Sequence, residues 1–376
     1  MSDSTQLQQA LGIQLELFQS TKRLNLSETY EAIPKEVSSN DPIIKWASKF
    51  IAEPVEKTFS IDGKSYVSEI SPANFKNKRT KQFQSHFPDL REARIEYAII
   101  SLASKQLIDI DTDSENNKIF MLRTTYYQIQ KEIVGAINKR ENRGLKPNEC
   151  PYNTTSIREA LEVLKRTDIT VKNHAGGNQY IFNRIKDIYM DNNKVVIELG
   201  NMITSYISSG DWRATDSNSI LASRGKYELK LRVLLNMRFK YASENGRPYS
   251  PSLTKLIQEI DFIENKYKRI SLQKIVTILE KMHEVERVDI DKKFEGRKLI
   301  DAILHIHATS EFSSMMIENN KMTKRTKEAI LDQEGSPLIE PMQADYSSSA
   351  EFHKAKREYE IKKGKLLLGS RHNFLK

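Results

Sequence analysis

The feature that most constrains this chain is an order of elements that occurs twice along it. In the first half, "SIREALEVLKR" (156–166) follows a helix predicted over residues 125–140 and precedes two strands joined tightly at 191–193. Its apolar residues have the i, i+3, i+4, i+7 spacing of one buried helical stripe: Ile157, Ala160, Leu161 and Leu164. Ser156 is the expected helix cap, because Glu159 follows three residues later as in a capping box.

The second half runs through the same elements. A leading helix is predicted over residues 226–243, and a short helix starts within "SPSLTKLIQEI" (250–260). "SLQKIVTILEKMHEV" (271–285) then has its own inward stripe, which consists of Leu272, Ile275, Val276 and Leu279. A hairpin with its turn near residues 295–296 follows. Helix, helix and antiparallel hairpin is the order of a winged helix-turn-helix domain, in which the hairpin is the wing.

The predicted fold class is therefore α+β and mainly helical, with two tandem winged helix-turn-helix domains and flexible terminal extensions. Polar, Pro-containing sequence over residues 1–88 predicts a flexible N-terminal extension, which ends in the basic run "FKNKRTKQF". The two domains are predicted over residues 89–218 and 219–325. Residues 326–376 are polar with many lysines and arginines, which predicts a basic C-terminal tail.

Composition excludes several classes of protein. The chain of 376 residues contains 59 Lys and Arg against 50 Asp and Glu, a net charge of +9 that suits a polyanionic partner. Cys150 is the only cysteine, which excludes a disulfide framework or a thiolate metal cluster within one chain. The N-terminus lacks a signal-peptide pattern, and no apolar run approaches membrane-spanning length, so we expect a cytoplasmic protein without membrane association.

The second helix of a helix-turn-helix enters the major groove, so its outward side chains are the candidate DNA contacts. In the second domain, four such residues are Gln273, Lys274, Thr277 and Lys281. Lys266, Lys268 and Arg269 lie just before them, where phosphates flank the helix N-terminus. No acidic residue interrupts the first two turns from Ser271, so this helix is the better candidate reading surface. The alternative is an ordinary solvated helix face.

The first domain offers a weaker surface. Its outward helix residues include Ser156, Arg158 and Lys165, but Glu159 and Glu162 oppose phosphate contact. This helix is either a weaker DNA reader or a dimer surface. Basic residues near the two hairpins are candidate backbone contacts: Lys186 and Lys194 in the first, and Lys292, Lys293, Arg297 and Lys298 in the second.

Two tandem winged helices over about residues 90–320 resemble the plasmid replication initiators that bind repeated origin sequences, called iterons. The resemblance is carried by "SIREALEVLKR" with its hairpin and by "YELKLRVLLNMRFKYAS", "YSPSLTKLIQEI" and "SLQKIVTILEKM". It implies binding of double-stranded origin repeats, opening of an AT-rich stretch, and recruitment of the host initiator, helicase, clamp and polymerase. It also implies a monomer that binds the origin and a homodimer that represses.

An N-terminal peptide fits that resemblance. "QLELF" matches the Q-L-x-L-F peptide that binds the bacterial sliding clamp, with Leu17 and Phe18 entering an apolar pocket, Leu15 supporting them and Gln14 bonding at the rim. Some initiators of the resembled type have such a peptide at the N-terminus. The alternative is an amphipathic helix that packs on the body of the protein through Leu11, Leu15 and Phe18.

Two other functions compete. A transcriptional regulator of the same fold would bind DNA without needing "QLELF". A rolling-circle nickase would use His305 and His307 of "LHIHA" as metal ligands and Tyr359 of "YEIKK" as nucleophile, although a structural role for two histidines on one strand is more common. The sequence lacks the Gly-rich P-loop and the G-x-S-x-G and H-E-x-x-H motifs. We therefore expect a non-enzymatic DNA-binding protein without a catalytic site, cofactor or metal.

Overall fold

The first domain is built around a bundle of three helices and a four-stranded antiparallel sheet. The computed structural model describes residues 18–19, 23–37, 52–61, 63–76, 83–105, 108–112, 118–173, 179–239, 247–327, 330–331, 337–339, 341, 343, 346 and 348–359. An N-terminal part contains strand β1 (Leu24–Leu26), helix α1 (Glu28–Ala32), and strands β2 (Val55–Ile61), β3 (Lys64–Ile70), β4 (Ala73–Lys76) and β5 (Phe83–His86).

The helices and strands that follow form the predicted first winged helix. They are α2 (Leu90–Ala103), β6 (Ile108–Thr112), β7 (Lys118–Thr125), α3 (Tyr126–Glu141), α4 (Thr154–Arg166), β8 (Asp168–Asn173), β9 (Gln179–Asn183), β10 (Ile185–Asp191) and β11 (Lys194–Leu199). The predicted stripe of α4 is buried. Its cap differs from the expectation: the helix starts at Thr154, and the Asn153 side chain accepts from the Ser156 backbone N–H. Ser156 is therefore inside the first turn and is not the cap.

The first hairpin is joined tightly, as predicted, with Asn192 in a left-handed conformation at φ 47°. The strand before it differs from the prediction, because "NQYIFNRIKDIYM" forms two strands that belong to different sheets. β9 pairs with β8 in a sheet ordered β2-β3-β8-β9, whereas β10 joins a sheet ordered β10-β11-β7-β6. Arg184, between the two strands, is wholly buried and donates to the Glu96 carboxylate and the Lys35 carbonyl oxygen, each at 3.0 Å.

The described part of residues 1–88 is folded, in contrast to the flexible extension that we expected. β2 and β3 complete the sheet of β8 and β9, and β1 pairs with β12 (Arg213–Thr215) nearly 190 residues later. Leu24, Leu26 and Ile70 are wholly buried. Strand pairing across such distances in sequence leaves no local signal. Leu24 and Leu26 are buried in the core of the first domain, whereas Val37, Val55 and Ile70 form a small cluster of their own.

The second domain has the predicted order of elements. After α5 (Asn201–Ser209) and α6 (Ser217–Leu221) come α7 (Lys226–Arg238), α8 (Leu253–Glu259), α9 (Lys268–Glu280), β13 (Val285–Glu295) and β14 (Lys298–Ala308). Single bridges of Tyr249 and Ser252 connect the preceding segment to β14. α9 starts three residues earlier than predicted, so Lys268 and Arg269 lie within the helix.

α7 belongs to both domains. Leu229, Val233 and Met237 are buried in the first core, whereas Leu231 and Leu235 on another face are buried in the second. A boundary at residue 219 therefore assigns to one domain a helix that both cores share. Because each face of α7 is packed, the two domains are joined by a continuous helix with apolar contacts on both sides.

The chain after the second hairpin returns to the first domain. α10 (Ser310–Lys327) packs along β12, where the Ala214 N–H donates to the Thr323 hydroxyl at 3.0 Å. β15 (Ile330–Leu331) pairs with β16 (Pro337–Leu338), and residues 349–359 are helical. The described residues of the predicted tail at 326–376 thus include ordered elements, and residues 360–376 lie outside the described part.

Candidate nucleic-acid interface

One face of α9 packs against the second core, and the opposite face is exposed to solvent. Leu272, Ile275 and Leu279 are buried in the second core, because they recur at the helical spacing seen in the sequence. The predicted reading residues are all exposed on the remaining surface: Gln273, Lys274, Thr277 and Lys281. The structure therefore brings these four residues together on one accessible helix face, as the fold requires of a groove-entering helix.

Positive charge surrounds the start of α9. Lys266 and Arg269 are exposed, and the half-buried Lys268 donates to the Thr254 hydroxyl at 2.9 Å. The Lys274 ammonium donates to the Asn265 side-chain oxygen at 3.4 Å. Among the described residues, no carboxylate lies within ion-pair distance of these four cations, so their charge is available to an external anion. Glu264 and Glu280 are exposed at the two ends of this surface.

Sequence reasoning missed the apolar part of this surface. Tyr267 and Ile270 are 61% and 41% exposed, and Ile263 is also exposed nearby. Ile263 and Ile270 line an open depression together with Gln273, Thr277, Tyr227 and Phe262. A signal for the exposure of Tyr267 and Ile270 was present in the sequence, because both lie among Lys266, Arg269 and Lys274 on the outward side of the helix. An apolar side chain on a reading helix is suited to the methyl group of thymine.

The second wing extends the basic surface. β13 and β14 are joined by the two-residue loop Gly296–Arg297, with Gly296 at φ 57°, where a side chain would be strained. Every residue from Asp291 to Lys298 is exposed. The predicted backbone contacts are therefore accessible, and in the described part of the chain no acidic group pairs with them: Lys292, Lys293, Arg297 and Lys298. Phe294 stands among them, unpredicted, and is 56% exposed.

In the corresponding helix of the first domain, two of the three cations are paired with carboxylates. The Lys165 ammonium lies 2.5 Å from the Asp187 carboxylate and holds the pKa of that carboxyl below its ordinary value. Arg166 pairs with Glu162 at 3.1 Å, and Arg91 pairs with Glu159 at 3.3 Å. Of the three predicted contacts on α4, Arg158 is exposed, whereas Ser156 and Lys165 are half-buried. This surface presents fewer free cations than that of α9.

The first hairpin is also less accessible to an external anion than the second wing. Lys186 pairs with Glu198 of the neighbouring strand at 2.9 Å, while Lys194 is exposed beside the turn. β11 is covered on its other edge by β7, so the hairpin is the edge of a four-stranded sheet. The second wing, in contrast, consists of β13 and β14 with only two single bridges to the preceding segment.

The proposed clamp peptide is only partly described. Gln14, Leu15 and Leu17 lie outside the described residues. Phe18 is wholly buried, with its ring edge-on to Trp212 at 5.7 Å between ring centroids and tilted against Tyr206 at 6.3 Å. In this conformation Phe18 is part of the first core and does not reach an external pocket. Its burial agrees with the alternative, in which the segment packs on the body of the protein.

The two histidines of the nickase hypothesis point to the same face of β14, as predicted. His305 lies 2.9 Å from the Asp291 carboxylate and the same distance from the Ser250 hydroxyl, and His307 lies 3.0 Å from Asp289. The two contacts with Asp291 and Asp289 are cross-strand contacts within the second wing. Tyr359 is 7% exposed. The part of the chain that the structure describes contains no cluster of three or more potential metal ligands.

The geometry of α9 and its wing can be set beside known proteins. Several solved structures are similar to this chain. Three of them are a selenomethionine derivative of RctB domains 2 and 3 (11% identity, TM-score 0.43, 75% of this chain and 96% of that one), residues 155–483 of RctB comprising domains 2–3 (11%, 0.40, 73% and 99%), and the Pi initiator protein in complex with iteron DNA (13%, 0.38, 59% and 95%).

In the last of these structures, the Pi initiator protein is in complex with iteron DNA. At these identities and TM-scores, the similarity does not assign a function to this chain. No family model and no curated protein matches the sequence. Within the described ranges, none of the helices combines the length and the apolar character needed to cross a bilayer.

Proposed function

We propose that this protein binds specific sequences in double-stranded DNA through α9 and the second wing, and that it does so at repeated sequences of a replication origin. The observation that carries the proposal is the outward face of α9, where Arg269 and Lys274 have no acidic partner in the described structure and lie beside exposed Gln273 and Thr277. Phosphates would be held by the lysines and arginines, and bases would be read by the polar side chains between them.

The recognition chemistry follows from the residue types. A glutamine can form two hydrogen bonds to adenine, a lysine or arginine can donate to guanine, and threonine suits either a polar edge or a thymine methyl group. Lys292, Lys293, Arg297 and Lys298 would follow the backbone beside the bound helix. Because these contacts displace counterions, affinity would fall steeply with salt concentration.

The decisive experiment is selection of bound DNA from a random library by the full chain, with sequencing of the enriched fragments. A repeated consensus supports an origin-type target, and enrichment without any consensus would contradict sequence-specific binding. Substitution of Lys274 and Thr277 by alanine is the matched test of α9. We expect the consensus to be lost while weak, salt-sensitive binding to any duplex remains.

A transcriptional regulator of the same fold would present the same surface, so binding alone does not separate the two functions. Replication of a plasmid whose only origin carries the selected sequence does separate them. We expect replication to require the wild-type protein and to fail with the Lys274 and Thr277 variant. Regulation of a reporter without any replication would favour the regulator instead.

Recruitment of the bacterial sliding clamp remains a prediction from "QLELF". Because Phe18 is buried against Trp212, clamp binding through this peptide would require Phe18 to leave the first core. The test is titration of purified clamp with the full chain and with Gln14→Ala, which removes the predicted hydrogen bond at the rim of the pocket. Equal affinities, or no binding, would favour the packing role of the segment.

We further propose that the chain supplies no covalent chemistry of its own. The nickase alternative predicts cleavage of supercoiled origin DNA in Mg²⁺ or Mn²⁺, abolished by Tyr359→Phe. Since His305 and His307 are paired with Asp291 and Asp289, we expect no nick above background with either protein. A nick that Tyr359→Phe abolishes would overturn this proposal.

A further inference from the structure

The tip of the second wing carries an aromatic ring that the fold does not bury. Phe294 is 56% exposed and lies at the end of β13, two residues before Gly296. Its cross-strand neighbour Leu299 is 8% exposed, and the residues from Asp291 to Lys298 are all exposed. Leaving a phenylalanine in water forgoes the burial free energy that a core position would supply. The ring is therefore accessible to an external partner.

The backbone of the second wing contains a β-bulge next to Phe294. Lys293 is opposite Asp301 and Phe294 is opposite Leu299, so Ile300 is an additional residue in β14. A bulge of this kind increases the local twist and redirects the side chains beyond it. The two-residue loop then closes the hairpin with Gly296 at a positive φ. The ring is thus displayed on a short, tightly closed tip.

The charges around the ring identify the chemistry of the partner. Four cations flank Phe294 against one acidic residue, Glu295, within 292–298: Lys292, Lys293, Arg297 and Lys298. Asp301 faces away to the body of the domain, where its carboxylate accepts from the backbone N–H and hydroxyl of Thr254, each at 3.1 Å. A cationic rim around one apolar ring suits a polyanion that offers an apolar gap, and the gap between stacked base pairs is such a site.

The first hairpin provides an internal contrast. Its tip contains Asp191 and Asn193, with Lys194 as its one basic residue, and its exposed ring is Tyr189, away from the turn. The combination of a closed tip, a phenyl ring and four unpaired cations therefore belongs to the second wing, within the described part of the chain.

We propose that Phe294 is a wedge that enters the minor groove of the DNA held by α9 and partly separates two adjacent base pairs. This inference rests on the proposed function and deepens it, because it assigns the wing a role in deforming the duplex. Pyrimidine–purine steps such as TA unstack most easily, so the wedge would favour such a step beside the α9 contacts. Apolar wedges of this kind bend DNA by roughly 20–90° toward the major groove.

The test uses the full chain and its selected DNA site, with 2-aminopurine placed at successive positions beside the α9 contacts. Unstacking raises the fluorescence of this base, and energy transfer between dyes at the two duplex ends measures the bend. We expect wild-type protein at saturation to raise the fluorescence at one step and to bend the site. Phe294→Ala should abolish both signals, and Phe294→Leu, which keeps an apolar wedge, should retain most of each.

Lys293→Ala is the matched control, because it removes a neighbouring charge and leaves the ring. We expect it to weaken binding while both signals at saturation stay at the wild-type level. Equal fluorescence and bending with Phe294→Ala and wild type would overturn the wedge while leaving the proposed function intact. Specific binding by wild type with no unstacked step would do the same. Failure of wild type to select any DNA would overturn the proposed function and the wedge with it.

Discussion

α4 and α9 occupy the same place in the order of their domains, yet their outward faces differ in one respect. Two of the three cations on α4 are held by carboxylates of the same domain, in the pairs Lys165–Asp187 and Arg166–Glu162. Those on and beside α9, such as Arg269 and Lys274, have no such partner among the described residues. A charge already balanced inside the fold gains little from phosphate, because the pair must first separate.

Two domains with the same order of helices and strands can therefore contribute differently to DNA binding. Around the first domain, ion pairs and added strands fasten the helix and hairpin to neighbouring elements. Around the second, the helix face and hairpin remain open. We infer that the first domain mainly supports and the second mainly reads DNA. The four predictions below test that contrast, from the largest expected effect to the smallest.

The largest effect should come from the ion pair that anchors the first hairpin. Arg184→Met leaves the buried carboxylates of Glu96 and Glu36 without this partner, and we expect the free energy of unfolding to fall by about 3–5 kcal/mol. Arg287→Met on the second wing breaks an exposed pair with Asp289 and should cost less than about 1 kcal/mol. Urea unfolding of both variants measures the two values. Similar losses would contradict the distinction between an anchored and an open hairpin.

The stability that Glu36 contributes at the junction of the domains should decrease at acidic pH. Burial alone would raise the pKa of Glu36, but the ammonium of Lys230 on α7, 3.3 Å away, together with Lys35 and Arg184, lowers that pKa from 4.5 to about 2. Because the folded state holds the proton less tightly than the unfolded state, this contribution is present above about pH 4.5 and is lost as the pH falls toward 2.

The shift corresponds to about 3 kcal/mol at neutral pH. We expect Glu36→Gln to lose roughly that amount of unfolding free energy at pH 7, and the difference from wild type to shrink steadily between pH 4.5 and 2. Denaturant unfolding across this range measures it. A difference that does not change with pH would show that the charge of Glu36 is not what joins α7 to the N-terminal segment.

The reading helices should differ in specific binding. Lys274→Ala on α9 should weaken binding to the selected sequence by about 1–3 kcal/mol, with a much smaller loss on random duplex. Arg158→Ala on α4, the matched exposed cation, should weaken both DNAs equally and by less. Fluorescence anisotropy at fixed salt measures all four affinities. A sequence-specific loss with Arg158→Ala would make the first domain a reader as well.

The smallest effect should appear in the salt dependence of the two wings. Arg297→Ala removes one phosphate contact of the second wing and should reduce the slope of log affinity against log salt by about 1. Lys186→Ala should leave the slope unchanged, because that ammonium is already paired with Glu198 at 2.9 Å. Titrations at several salt concentrations give both slopes. Equal changes would mean that both hairpins contact the backbone.

The parts of the site that could be predicted are those with a local pattern. The stripe Leu272, Ile275 and Leu279 fixes which face of α9 is buried, and therefore which residues, such as Lys274, point outward. The exposure of Phe294 could not be predicted from a local pattern. It depends on how far the second wing extends beyond the body of the domain and on the bulge at Ile300. A phenylalanine within an alternating strand looks like any core residue.

By itself, the sequence determined the order of helices and hairpins, the inward stripes of α4 and α9, and the two tight turns. These follow from interactions within a few residues, through helical periodicity and the backbone preferences of Asn and Gly. Only the tertiary structure decided that β1 pairs with β12, that Phe18 is buried against Trp212, and that α7 serves two cores. It also decided which cations are neutralised. Those outcomes depend on partners as distant as Arg184 and Glu96, 88 residues apart, and no local pattern encodes such a pairing.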